Sequence, residues 1–502
     1  MTGLEQKSNP ELTQKTLKGV FWSYLSFAGG MALSSVTTIV LARLLLPEQF
    51  GVVGYCLVAI QYLDILNSAG IDTALIARRE NAEEAANAAF IANILLGVIC
   101  YGLTWVLAPS VAVFFKSPQI VPLLRVLGLS LPLSGLGMVP GTLLQRSLNF
   151  RKILIAELGR NFTKGAISII LAVLGFGVWS LVWGQILGIL TGTILCWLLA
   201  SWKPTWRFHA EATRSILFIG FHIIILEIAG ALRSNVDYLL VGRILGAAAL
   251  GYYTMSYRIP ELLIRSLNNV VGDVSLPTLA MIQVEPERLR TFYFGYLRYI
   301  SMFVLPLGTG LAFTARLFIP IFLSDTWNPA IIPTALISLA IGISALGYVP
   351  GVLYKAIGRP DVLNRLALTK IPIAVLILWY STRWNIAGVA LGQIAIGLIS
   401  VSMDTLIVNF ILHYTIRELL KAVTPTFLST IVMALPLFIV DKVHLFSDVT
   451  QLVLMILFGV LTYFGMLWLI SRETLLLGTE AVRKAFLKKT AGTVSLEVAS
   501  ND

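Results

Sequence analysis

Run after run of apolar residues, each close to the length of a membrane crossing, limits what this chain can become. A helix needs about 20 consecutive apolar residues to span the hydrocarbon core, and such stretches follow one another almost without interruption. The chain is 57% hydrophobic and only 13% charged, where soluble domains carry roughly 25% charged residues. Strands crossing a membrane alternate apolar and polar positions over about 10 residues. These runs are continuously apolar, so they read as helices. The expected fold class is an all-α polytopic membrane protein.

About 14 transmembrane helices are expected, at 20–42, 51–77, 85–108, 121–144, 153–175, 177–200, 215–242, 251–276, 292–315, 331–354, 366–382, 385–411, 424–440 and 449–470. The connections leave no room for a folded extramembrane domain. Residues 1–19 are polar for too long to resemble a signal peptide, so the run from Val20 reads as a retained helix. With the N-terminus inside, 23 Lys and Arg fall on the cytoplasmic side and 6 on the other. The positive-inside rule then puts both termini, including the tail 471–502, in the cytoplasm of a plasma (inner) membrane. The net charge of +11 is mainly this topology signal, set opposite anionic lipid head groups. It does not call for nucleic acid.

The 8 remaining cations lie inside spans: Arg125, Arg160, Lys164, Arg233, Arg258, Arg265, Arg298 and Lys370. Each costs about 2.5–3.5 kcal/mol facing lipid at the bilayer centre. Together that is roughly 20–28 kcal/mol, more than a folding stability of about 5–15 kcal/mol. They must face one another, acidic partners or a watery cavity. Arg125, Arg298 and Lys370 sit near span ends and can snorkel.

An internal echo organises the chain. RLLLPEQFG (Arg43–Gly51) matches RILGAAALG (Arg243–Gly251), SGLGMVPG (Ser134–Gly141) matches SALGYVPG (Ser344–Gly351), and SLVWGQ (Ser180–Gln185) matches GVALGQ (Gly388–Gln393). The order is kept and the offset is 200 to 210 residues. Transporters often hold two such halves about a site between them. Two six-helix pseudo-repeats around a central cavity are therefore expected, at 20–200 and 215–411, joined by a cytoplasmic linker 201–214, with two further helices over 424–470. Pro140 and Pro350, each followed by Gly, read as packing kinks or as hinges. Ser180, Gly184, Gly188 and Gly192 recur every fourth residue, which suits close packing within a bundle more than a dimer interface. Cys56, Cys100 and Cys196 fall in apolar runs and read as packing residues.

Polar positions collect on stripes at helical spacing. Asp64 and Asp72 share one, with Gln61, Asn67 and Ser68. Glu157, Arg160, Asn161, Lys164 and Ser168 form a second. Arg233 and Asp237 lie on a third, and Arg258, Glu261 and Arg265 on a fourth. Each charge can simply pair with a neighbour, as Glu157 with Arg160, Arg233 with Asp237, or Arg258 with Glu261. Four amphipathic helices in an otherwise apolar bundle nevertheless imply a hydrated space. Arg160, Lys164, Arg233, Arg258 and Arg265 are the candidate substrate-binding cations, because Arg grips phosphate oxygens bidentately. Asp64, Asp72, Glu157, Asp237 and Glu261 are candidates for ion coupling or charge pairing.

Motifs for other chemistry are missing. There is no GxxxxGK[S/T] for nucleotide binding, and His209, His222, His413 and His444 show no metal-ligand spacing. No catalytic residue, metal or cofactor is expected. A membrane glycosyl-transferring enzyme (a polymerase or ligase) would present acidic, His or Arg residues on a sizeable outer loop. The outer loops here are short and offer only Asp325 as an acid.

Five stretches carry a family resemblance: TLKGVFW (Thr16–Trp22), VLARLLLPEQFG (Val40–Gly51), LLVGRILGAAALGYY (Leu239–Tyr253), the segment Leu276–Tyr293, and WNPAI (Trp327–Ile331). With them the chain resembles the multidrug/oligosaccharidyl-lipid/polysaccharide (MOP) flippase superfamily, and within it the polysaccharide transporter family of Wzx-like O-antigen flippases and colanic acid exporters. The resemblance implies two bundles around a central cavity. It implies movement of an undecaprenyl-diphosphate-linked oligosaccharide to the outer leaflet by alternating access, for lipopolysaccharide or exopolysaccharide biosynthesis. Partners so implied are the lipid-linked substrate, membrane lipids, a coupling cation (H+ or Na+) and polysaccharide polymerase machinery. No invariant motif maps the site, so the residue choices rest on the polar stripes. An ion-coupled multidrug exporter shares the architecture and stays open as an alternative.

Overall fold

The computed structural model describes residues 10–475 apart from 69, 78–81, 206–209, 443–446 and 473. Among the described residues all regular structure is helical: seventeen α-helices and two short 3-10 turns, with no strand. Among the described residues, ten helical stretches are long and apolar enough to cross a membrane. The stretch Asp361–Leu412, counted once among them, contains two successive helices.

The chain divides into two compact units, residues 1–254 and 255–502. The first holds α1 (Pro10–Leu44), α2 (Pro47–Ser68), α3 (Ile71–Ala77), α4 (Ala82–Phe115), α5 (Ile120–Leu127), α6 (Ser130–Arg146), α7 (Phe150–Val173), α8 (Val178–Leu199), α9 (Ala210–Leu245) and the first turns of α10 (Ala247–Met281). Three expected continuous spans are broken. The span 51–77 splits into α2 and α3 around Gly70, whose φ of +59° is open to glycine. The span 121–144 splits into α5 and α6 at Gly128–Leu129. In the second unit, 331–354 splits at Leu346–Gly347.

Small residues decide how the first unit packs. In lipid there is no hydrophobic force between helices, so close backbone approach and interhelical hydrogen bonds do the work. A Cβ at Gly188 would stand 2.8 Å from the Cβ of Lys164 and 3.0 Å from the carbonyl oxygen of Arg160, and one at Gly192 would stand 3.2 Å from the Cβ of Arg160. At Gly184 it would overlap the Ser168 hydroxyl. The glycine row therefore seats α8 directly on α7, as packing within the bundle. The two echoing turns also meet. A Cβ on Gly51 would overlap the carbonyl of Ala247, and one on Gly251 would overlap the carbonyl of Pro47. The Tyr55 hydroxyl donates to the Gly242 carbonyl at 3.0 Å beside them.

The second unit continues α10 with α11 (Pro286–Phe322), α12 (Ile331–Ala345), α13 (Tyr348–Ala356), α14 (Pro360–Ser381), α15 (Asn385–Leu412), α16 (Ile416–Lys442) and α17 (Asp448–Ile470). α16 and α17 close on α11 through Met302, Met433, Leu437 and Met455, and the Tyr463 hydroxyl donates to the Met302 carbonyl at 2.7 Å. Lys370 does not snorkel. Its ammonium lies 2.8 Å from the Asp404 carboxylate, which is only 5% exposed. Asp404 sits on the next helix and belongs to none of the polar stripes.

Removing one partner of a buried ion pair leaves an uncompensated charge and costs about 3–5 kcal/mol, whereas replacing both with apolar groups is often neutral. Lys370→Met alone is thus expected to lower the thermal stability of the detergent-purified protein sharply. Adding Asp404→Leu should restore most of it, and equal losses in the single and double variants would refute the pairing.

Candidate functional site

A cavity of about 790 Å3 opens inside the first unit, between α1, α2, α3, α6, α7 and α8. Its charged lining consists of Asp64, Asp72, Glu157, Arg160 and Lys164. The sequence placed these five on two separate stripes; the fold brings them to one space. The break at Gly70 turns α3 so that Asp72 rejoins Asp64 on the wall. The glycine row of α8 lies against Arg160, Lys164 and Ser168 of this stripe, and Gly188 and Gly192 line the cavity beside the two cations.

Each carboxylate has polar company. Glu157 accepts from the Ser26 hydroxyl of α1 at 2.5 Å. Asp64 lines the wall together with Ser130 and Ser134. Gly29 and Gly30 let α1 approach α7: a Cβ at Gly30 would stand 3.0 Å from the Asn161 amide nitrogen. Asn161, Gln145 and Gln185 complete a lining rich in amides. Carboxylates, amides and guanidinium together donate and accept in directions that suit hydroxyl groups. Arg160 and Lys164 add positive charge to the same lining.

Other expected site residues are not in the lining of this cavity. Asp237 is buried and accepts from the Tyr253 hydroxyl at 3.0 Å and from the Tyr238 backbone N–H at 2.9 Å. Arg233, one turn earlier on α9, is exposed. Arg258 is exposed and Glu261 half-buried on the part of α10 within the second unit. The side chain of Arg265 lies outside the described residues. Among described residues no group of three or more His, Cys, Asp or Glu could hold a metal ion.

Several lining residues were not visible as site residues in the sequence. Gln185 stood out only within a repeated hexapeptide, and its polarity was lost in the apolar run of α8. Ser26 belongs to an apolar stretch of α1, with no periodicity to mark it. Cys196, read as packing, is half-buried and lines the cavity, while Cys56 and Cys100 are buried elsewhere. Arg160 and Glu157 line the same cavity.

Cys196 thus serves as a native reporter. Removing a positive charge from a cavity wall lowers the local concentration of anions relative to cations. An anionic methanethiosulfonate reagent should modify Cys196 faster, relative to a cationic one, in the wild type than in Arg160→Gln. Mass spectrometry of the modified peptide gives both rates, and an unchanged ratio would place Arg160 away from the thiol.

A family model described as polysaccharide biosynthesis protein matches residues 40–332. The chain is 26% identical to the lipopolysaccharide biosynthesis protein WzxC of Escherichia coli (strain K12) over 412 residues, covering 80% of this chain and 81% of that one. It is 27% identical to the succinoglycan biosynthesis transport protein ExoT of Rhizobium meliloti over 335 residues, covering 66% and 68%. The solved structure of the lipid II flippase MurJ, in an inward closed conformation, matches 91% of this chain and 100% of its own with a TM-score of 0.72 at 15% identity. An inward-facing multidrug resistance transporter of the MATE family matches 77% and 98% with a TM-score of 0.62, also at 15% identity. The expected MOP-type helical fold is therefore present.

Proposed function

The chain belongs to the polysaccharide biosynthesis protein family, and from that premise we propose that it moves a lipid-linked oligosaccharide, carried on undecaprenyl diphosphate, across the plasma membrane by alternating access. The observation that carries this reading is the cavity of the first unit, where Arg160 and Lys164 stand among carboxylates and amides inside an apolar helical bundle. In the proposal, the two cations meet the anionic head or the sugars. Asp64, Asp72, Glu157 and the amides hold sugar hydroxyls or a coupling cation, H+ or Na+. Arg233, Arg258 and Arg265 are further contacts for the diphosphate. Polysaccharide polymerase machinery then takes over the delivered substrate.

Fourteen crossings with both termini in the cytoplasm are part of the same proposal. α7, α9 and α10 are not among the ten stretches selected by hydropathy. α7 carries the charged stripe that lines the cavity, and α9 and α10 carry Glu227, Arg233, Asp237, Arg258, Glu261 and Arg265. Helices that place charge against a polar space fall below a lipid-based threshold while still crossing. Cysteine labelling should find the segment Ala82–Ala86 on the cytoplasmic side, and external labelling there would overturn the orientation.

A transporter needs no covalent chemistry of its own, and nothing in the cavity calls for a glycosyl-transferring enzyme. A multidrug exporter of lipophilic cations would favour an anionic, aromatic wall. Here Phe27 and Phe150 are the aromatic lining residues, and two cations share the space.

Hydrogen bonds to charged groups contribute about 1.5–3 kcal/mol each, so losing one should slow transport roughly ten- to a hundredfold. The Arg160→Gln/Lys164→Gln variant should fail to restore surface polysaccharide in a strain lacking the gene, at unchanged protein level in the membrane. Full restoration would refute the role of these two residues. A change in drug resistance with glycan export unaffected would favour the exporter of cations instead.

A further inference from the structure

Arg125 carries a charge that no described residue balances. It stands on α5 in the first unit and is not in the lining of the cavity. Its guanidinium lies over the indole ring of Trp105 on α4, 4.4 Å from the centroid. Gly128 brings the two helices this close. A Cβ there would stand 2.9 Å from the Cγ2 of Thr104 and 3.1 Å from the Cδ2 of Tyr101, so the end of α5 rests directly on α4. Tyr101 in turn meets the Trp105 ring edge-on, with centroids 6.5 Å apart. Among the described residues Arg125 makes no hydrogen bond and no ion pair, and its Nε is buried without a partner. Its two terminal nitrogens are not buried.

The ring beneath this charge borders lipid. Leu95, Val98, Ile99, Val106 and Val113 are exposed along one face of α4 at helical spacing, and all are apolar. Trp105 sits at the edge of that face and is 47% exposed. It lies about 15 Å along the helix from the end at Phe115, and Trp concentrates at the head-group level of a bilayer. Gly102, one turn deeper, is exposed too, and a Cβ there would meet no atom within 4 Å. It leaves a notch between Val98 and Val106. The acids on the helices packed against α5 are Glu48 and Asp64 on α2 and Glu83 and Glu84 on α4, and none of them pairs with Arg125. A cation at an apolar boundary needs a counter-ion, and at this face the anion within reach is a lipid phosphate.

We propose that Arg125, Trp105 and Gly102 form a binding site for a glycerophospholipid of net negative charge, of the phosphatidylglycerol class. The accessible end of the Arg125 guanidinium grips two phosphate oxygens side by side. Trp105 backs the guanidinium with its ring face, and the notch at Gly102 takes the start of an acyl chain. A zwitterionic lipid brings its own ammonium, which competes for the phosphate and leaves the charge of Arg125 unbalanced. A dissolved phosphate ion meets the guanidinium but gains nothing from the notch. The site uses none of the cavity residues assigned to the saccharide carrier. It rests on the proposed orientation only for the leaflet, which is then the outer one.

The full-length protein in an uncharged maltoside detergent should melt at a higher temperature with dioleoylphosphatidylglycerol than with dioleoylphosphatidylcholine. Native mass spectrometry should show a phosphatidylglycerol molecule retained. Arg125→Leu should weaken retention about tenfold or more. Gly102→Leu, which fills the notch and leaves the guanidinium in place, should weaken it as well. Without added lipid, Arg125→Leu should melt no lower than the wild type, because no partner is lost. A lower melting temperature there would make the stacking of Arg125 on Trp105 purely structural and overturn the site. Arg160→Gln/Lys164→Gln should retain the lipid as the wild type does, so lipid binding and saccharide export stand or fall separately. Loss of the lipid in that cavity variant, equal retention of the two phospholipids, equal stabilisation by inorganic phosphate, or retention unchanged in Arg125→Leu would each refute the proposal.

Discussion

Backbone contact between α7 and α8 is the constraint on which the cavity depends. Three glycines let α8 lie against the carbonyls of Arg160 and Lys164 and the first carbons of their side chains. Gly188 and Gly192 line the cavity beside these two cations, so the charged face of α7 borders a polar space as well as α8. Packing and electrostatics thus fix each other. The helix pair is stable because small residues allow contact, and the charges are tolerable because that contact points them toward a polar space. A bulky residue in the glycine row would disturb both at once.

The two units settle the cost of buried charge differently. The first gathers carboxylates and cations around an open space. The second joins Lys370 to Asp404 in direct contact, which leaves no unmet demand. Nearer the helix ends, Arg290 pairs with Glu418 and Arg316 with Asp441. Closed pairs hold structure, while charges that border an open space can respond to a ligand. This contrast is the physical reason for placing function in the first cavity and for treating Asp64 as more than a structural carboxylate.

Periodicity made the helical fold and the charged stripes of α2 and α7 legible, because polarity repeating at 3.6 residues is a property of one helix. What joins helices is not periodic. Asn67 was visible on its stripe, but its partnership with Leu131 and Ser134 depends on the break before α6. That break has no strong local signal besides Gly128 and Pro132. Lys370 was misjudged for the same reason: distance to a span end is counted along one helix, while Asp404 waits on the next. Cys196 passed as packing because a thiol in an apolar run looks the same whether it faces lipid, protein or water.

Gly51 meets the carbonyl of Ala247, and Gly251 meets the carbonyl of Pro47. Such reciprocity is familiar from two-fold symmetric dimers, where each subunit offers the other the same patch. Here both patches lie in one polypeptide, 200 residues apart. Enlarging either residue pushes on the helix whose own approach relies on the other. The pair is therefore under a single joint steric constraint, and drift at one position restricts what is acceptable at its distant counterpart. A resemblance between two turns is maintained in this way by contact in the folded molecule, independently of how it arose.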